Sequence, residues 1–221
     1  GVLGTLTVVD DDGGQRRLSG PARRRLLGAL VARAGRVVPL DTLIEDLWAD
    51  APPATAERTL QSHVVRLRDD LGRDDDGSPI ITEPHGYRLN VSPTAVDAWC
   101  FERDLGAGRQ ALADGDAAGA VALLDQALSW WRGTAYAEFP DALFAVSERL
   151  RLQELRALAA EARTDAGLAL GASGELVGEL EQRLMEEPYR ERSWEQLVLA
   201  LYRSGRQVDA LSAYRRARER L

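Results

Sequence analysis

Lysine is absent, and all 28 basic residues of the 221-residue chain are arginine. That removes a Walker A phosphate loop, a Schiff-base lysine and a pyridoxal-phosphate site. Cysteine occurs once, at Cys100, so no internal disulfide can form, which fits a reducing cytoplasm. Two histidines and one cysteine, far apart in sequence, give no zinc spacing. Neither G-x-S-x-G nor H-E-x-x-H is present. An enzyme is therefore not expected, nor a cofactor or metal. Long apolar runs are also missing: the longest, Leu26–Ala32, is closed by Arg33 and is far shorter than the roughly 20 residues a membrane-spanning helix needs. The first residues do not form a signal-peptide pattern. The expected location is cytoplasmic, with nucleoid association if the chain binds DNA.

Enough apolar sequence is present for a proper core, since hydrophobic residues make up 45% of the chain. The net charge is −7, which opposes a general affinity for polyanions. Its distribution is uneven. Residues 1–93 carry 12 arginines against 14 acids, and residues 94–221 carry 16 against 21. In the first part the acids gather at Asp10–Asp12, Asp41–Asp50 and Asp74–Asp76. The arginines gather at Arg16–Arg17, Arg23–Arg25 and Arg58–Arg68, so a local basic face can exist on an acidic whole.

The first twenty residues read as strands around a turn at Asp11–Gly14. Pro21 opens a helix with an apolar stripe of Leu26, Leu27, Leu30, Val31 and Ala34, ended by Gly35. Arg36–Pro39 reads as an extended link, and Leu40–Trp48 as a second helix. In Thr55–Leu71, Leu60, Val64, Leu67 and Leu71 recur at helical spacing, with Gly72 suited to the terminating turn. The opposite face carries Thr55, Arg58, Gln61, Ser62, Val65, Arg66 and Asp69. Hydroxyl, amide, guanidinium and one short apolar group are a set that meets phosphates and base edges in a major groove. After an Asp-rich tip, Ile80–Thr82 and Tyr87–Val91 form a hairpin about Glu83–Gly86. Three helices and then a hairpin is the order of a winged helix-turn-helix. Arg58, Ser62, Val65 and Arg66 are the primary groove candidates. Arg23, Arg24, Arg68, His85 and Arg88 are the phosphate or wing candidates.

From Ala95 onward the sequence reads as helix, broken at Gly115, Gly133, Pro140, Gly171–Gly174, Pro188 and Gly205. Trp194, Leu197, Leu201, Gly205, Ala210, Tyr214 and Ala217 keep the spacing of a tetratricopeptide unit. Such helix pairs expose a face that a neighbour must cover, and arrays of them usually bind proteins. The expected fold is mainly α with small β elements. Residues 1–92 form a winged helix, and residues 93–221 form an all-α, tetratricopeptide-like domain.

Four stretches carry a family resemblance: GVLGTLTV, LSGPARRRLLGALVARAGRVVPLDTLIEDLW, PPATAERTLQSHVVRLRDDLG and ITEPHGYRLNV. Together they resemble the OmpR-like winged helix of the Streptomyces antibiotic regulatory proteins. LLDQALSWWRG and ERSWEQLVLALYRSGRQVDALSAYRRARERL resemble the bacterial transcriptional activation domain that follows it there. The resemblance implies a transcriptional activator that binds directly repeated promoter sites, contacts RNA polymerase holoenzyme and pairs as a homodimer at least on DNA. Control of secondary-metabolite (antibiotic) biosynthesis genes is implied as well. It also implies that the second domain is truncated at its C-terminal end. Asp69-Asp70 departs from the more basic pattern of the family. The alternative is a helical-repeat protein-interaction module whose DNA binding is weak or conditional, motivated by the acidic balance and by Asp69-Asp70.

Overall fold

A computed structural model describes residues 1–10, 12–72 and 77–221. The expected Asp-rich tip at Asp74–Asp76 lies outside the described residues, as does Asp11 of the first turn. The rest of that turn is present: β1 (Val8–Val9) and β2 (Gln15–Arg16) pair antiparallel, and Asp10 closes the turn with both its carbonyl and its carboxylate.

By packing, the chain divides into two units. The first is Gly1–Cys100 together with Trp130–Glu154, and the second is Phe101–Ser129 with Leu155–Leu221. The sequence boundary at residues 92 and 93 marks where the hairpin ends. The packing division differs from it in giving residues 130–154, which read as part of the helical region, to the first unit.

In the first unit, α1 (Pro21–Ala32), α2 (Leu40–Trp48) and α3 (Ala56–Leu71) stand on a three-stranded sheet. Its strands are β3 (Val37–Pro39), β4 (Ile80–Glu83) and β5 (Gly86–Leu89), in the order β3-β5-β4 and antiparallel throughout. The expected link at Arg36–Pro39 is thus an edge strand, where a proline in its last position lacks only an N–H. The wing turn is tighter than expected, only Pro84-His85 separating the strands. β3 crosses so close to Gly86 that a Cβ there would lie 1.9 Å from the Val38 carbonyl oxygen, which excludes any side chain at this corner. Leu26, Leu30, Leu43, Leu60, Leu67 and Ile80 are fully buried and form the core.

Val2–Gly4, expected as strand, instead is bonded to the distant segment. Arg132 N–H donates to the Leu3 carbonyl at 2.8 Å and Tyr136 N–H to that of Val2 at 2.8 Å. The buried Asp97 carboxylate receives the Val2 N–H at 2.7 Å, the Leu3 N–H at 2.9 Å and the Arg132 guanidinium at 2.7 Å. A buried charge is tolerable only with such multiple donors. Arg149 then ties down the segment's own carbonyls, those of Ala135, Tyr136, Phe139 and Pro140. Phe139 reaches α1 at Gly28, where an added Cβ would lie 2.7 Å from the ring.

The remaining helices are α4 (Asp97–Ala113), α5 (Ala117–Ser129), α6 (Leu143–Ala169), α7 (Ser173–Glu186), α8 (Glu191–Arg203) and α9 (Gln207–Arg220). The helices are interrupted at the expected Gly115, Gly133, Pro140, Gly171, Pro188 and Gly205, while Gly174 lies in the first turn of α7. In the second unit, α7, α8 and α9 share a core of Leu176, Leu180, Leu184, Trp194, Leu197, Leu201, Ala210, Ala213 and Ala217. Small residues bring helices close: a Cβ on Gly108 would lie 2.6 Å from Leu124. Tyr214 of the repeat pattern is exposed rather than packed. Among the described residues no helix is long and apolar enough to cross a membrane.

The Gly28 contact gives a direct test. Gly28→Ala would gain helix propensity at an interior position, but it must displace a buried aromatic ring. The expected net loss is about 1–2 kcal/mol, of the size found for overpacking, read as a lowered midpoint in denaturant. A midpoint at or above that of the parent would show that Phe139 does not press on α1.

Candidate nucleic-acid interface

The candidate interface is the exposed face of α3. Leu60, Val64 and Leu67 are turned inward, and Thr55, Arg58, Gln61, Ser62, Val65, Arg66 and Asp69 are exposed. Helical periodicity alone dictates this separation. Val65 is 54% exposed, a large fraction for an apolar side chain. Its methyl groups stand exposed among polar neighbours, an apolar group of the kind that can meet a thymine methyl. Ser62 hydroxyl donates to the Arg58 carbonyl at 2.9 Å, and Thr55 lies beside Thr59 at the helix start. Among the described residues, the side chains of Arg58, Gln61 and Arg66 engage in no hydrogen bond or ion pair. Their donors are open to a ligand.

The other arginine candidates are placed differently. Arg68 donates to the Ile80 carbonyl at 2.9 Å and to the Thr82 hydroxyl at 2.8 Å, tying α3 to β4. Arg88 pairs with Glu83 at 2.9 Å across the wing. Arg23 pairs with Asp70, and Arg24 with Glu138. All four guanidiniums are engaged within the fold, half-buried, before any ligand arrives. His85 is exposed at the wing tip, where its carbonyl accepts the Leu40 N–H at 3.1 Å.

Asp70, which departs from the family pattern, has a structural partner in Arg23, whereas Asp69 is exposed on the outer face. The C-terminal carbonyls of α3 receive a second cation: Arg16 donates to Leu71 at 3.1 Å and to Asp70 at 3.4 Å. A cation at a helix C-terminus is favourable both as a cap and against the helix dipole. At the base of the helix-turn-helix, Arg33 pairs with the buried Asp46 of α2 at 2.6 Å, and Arg25 donates to the Asp46 carbonyl.

His63 is a residue that pattern reading passed over. It lies half-buried on α3, its ring 6.4 Å from that of Trp48 on α2. Burial, and then the cations Arg66 and Arg23, push it below the ordinary imidazole value of 6.5. The folded chain therefore binds this proton less readily than the unfolded one, and stability rises with pH across the titration. Stability is expected to decline as pH falls through 6.5 towards the lower folded-state value. His63→Gln should flatten that part of the profile, and an unchanged slope would show that His63 is not its source.

The comparisons bear on both parts of the chain. The family model "Transcriptional regulatory protein, C terminal" matches residues 14–89. "Bacterial transcriptional activator domain" matches residues 96–221. Regulatory protein AfsR of Streptomyces griseus is 38% identical over 195 residues, 88% of this chain and 19% of AfsR. Transcriptional regulatory protein EmbR of Mycobacterium tuberculosis is 37% identical over 224 residues, all of this chain and 57% of EmbR. Regulatory protein DnrI of Streptomyces peucetius is 36% identical over 205 residues, 90% of this chain and 75% of DnrI. The solved structure of Mycobacterium tuberculosis EmbR in complex with a low-affinity phosphopeptide superposes with a TM-score of 0.92 at 35% identity. It covers 98% of this chain and 57% of the EmbR chain. The chain thus spans only part of the length of AfsR and EmbR.

Proposed function

The chain belongs to the family of Streptomyces antibiotic regulatory proteins, and from that premise we propose that it is a transcriptional activator that reads promoter DNA through α3. The observation that carries the reading is the contrast among arginines. Arg58 and Arg66, on the exposed face, have no side-chain partner among the described residues, while Arg23, Arg24 and Arg88 are paired with acids and Arg68 is bonded to a carbonyl and a hydroxyl within the fold. Two guanidiniums without an acid beside them on one exposed helix face give an otherwise acidic chain a local cationic site.

Arg66 and Arg58 donate to guanine edges or phosphates, Gln61 to an adenine edge or a phosphate, and Val65 contacts a thymine methyl. Ser62 and Thr55 serve the phosphate backbone. His85 at the wing tip lies over the neighbouring minor groove or a phosphate. Arg23, Arg24, Arg68 and Arg88 support the reading face in place of touching DNA. The sites are direct repeats occupied by a homodimer, the helical region contacts RNA polymerase holoenzyme, and the genes controlled are those of secondary-metabolite biosynthesis. Family membership supports these last assignments. With such a role the protein works in the cytoplasm, on the nucleoid.

Selection of bound sequences from random duplex DNA at moderate salt tests the reading. Enrichment of a directly repeated motif, its copies about one helical turn apart, is the expected result. A folded chain that enriches nothing would favour the protein-interaction alternative, for which the acidic balance argues. On the selected motif, Arg66→Ala should lower affinity on the order of tenfold to a hundredfold and relax preference at one position. Arg68→Ala should instead lower the melting midpoint, since it unties α3 from β4. If Arg66→Ala bound like the parent, the reading face would be elsewhere.

A further inference from the structure

Adjacent arginines on α1 reach in different directions. Arg23 pairs with Asp70 in the last turn of α3, the pair being only 19% and 27% exposed at the side chains. Arg24 is held by both oxygens of Glu138, one of them at 2.5 Å, and it donates to the Leu6 carbonyl at 2.6 Å and the Leu18 carbonyl at 3.5 Å. Leu6 precedes β1 and Leu18 follows β2, so Arg24 clamps both legs of the hairpin that carries Arg16. Arg16 also grips the end of α3, from outside the helix. Apart from Arg68, which ties this turn to β4, the arginine holds on the C-terminal turn of α3 therefore start from elements that meet at Arg24. The bonds to Glu138 also raise the already high affinity of Arg24 for its proton.

We infer that Glu138 is a positioning residue for the α3 reading face. Docked with Phe139 on α1, it fixes Arg24, and through Arg24 the two elements from which Arg23 and Arg16 hold the end of α3. The inference rests on α3 being the reading helix, and its consequence is that residues 130–154 act as part of the DNA-binding unit although they lie in the stretch matched by the activator-domain model. Interior packing of Leu60, Val64 and Leu67 keeps α3 folded; the arginine grips decide how its last turn is held. Sequence-specific contacts depend on that placement within fractions of an ångström, whereas non-specific binding depends on charge alone.

The test uses the full chain carrying Glu138→Ala, Glu138→Gln, Asp70→Ala and the Glu138→Ala/Asp70→Ala double variant. Amide hydrogen exchange without DNA is the first readout. Exchange in the last two turns of α3 should accelerate about tenfold in Glu138→Ala, while α2 and the sheet keep the parent rates. Glu138→Gln, which keeps an acceptor for Arg24, should fall between. The second readout is affinity for the selected motif against random duplex. Specific affinity should drop about tenfold and random-duplex affinity should hold within about twofold. The double variant should exchange faster in α3 than Asp70→Ala alone, because Arg16 still grips backbone carbonyls there, but by less than the product of the two single effects, since the Arg23 route is shared. Unchanged α3 exchange in Glu138→Ala overturns the inference. So does acceleration spread evenly over the whole unit, which is plain loss of stability, or additive effects of the two substitutions. The exchange readout decides the relay even if the chain selects no DNA motif, so its failure is distinguishable from failure of the α3 reading.

Discussion

Burial of one stripe of α3 is the constraint on which the first unit depends. Leu60, Val64 and Leu67 are inside, against α1 and α2, and a helix has only one such face to give. Rotating α3 about its axis would expose those apolar side chains and bury Arg58 and Arg66 without partners, at a cost of several kcal/mol for each unpaired charge. The orientation of the presented face is therefore set by hydrophobic burial and not by any polar contact on that face. Polar contacts act at the helix end, where Arg16 and Arg23 converge on Asp70 and Leu71.

An all-arginine complement of cations suits this arrangement. A guanidinium offers five donors in a planar fork, so one side chain can satisfy several acceptors. Arg24 reaches a carboxylate and two carbonyls, and Arg149 reaches four carbonyls of the segment that precedes α6. A lysine at either position would be a single ammonium on a flexible stem and would leave buried carbonyls unpaired. The second unit repeats the habit: Arg163 spans Asp125 and Glu179, and Arg192 spans Asp165 and Glu195.

Legibility in the sequence followed the range of the forces involved. Helix limits came from local signals such as Pro21, Gly35, Gly72, Gly115 and Gly205, and those elements lie where expected. The exposed face of α3 was legible because periodicity sorts its residues without reference to anything else. What escaped reading is what depends on a distant partner. Val37–Pro39 is too short to alternate, and it is a strand only because β5 lies beside it. Arg23 and Arg24 look like any basic cluster, and their roles depend on acids 47 and 114 residues away. Val2–Gly4 reads as strand by composition, and its hydrogen-bonding partner lies some 130 residues along the chain.

The assignment of Trp130–Glu154 to the first unit also bears on inheritance. The backbone leaves the first unit after Cys100, returns at Trp130 and leaves again after Glu154. With the units interleaved in this way, no single crossover between two related genes can exchange one intact unit for another. A joint at the end of the hairpin would give α1 from one parent and Phe139 from the other, and a joint beyond Glu154 would divide the helical unit instead. Complementary pairs such as Gly28 with Phe139 and Arg24 with Glu138 must then change together, within one lineage, and recombination cannot supply either half alone.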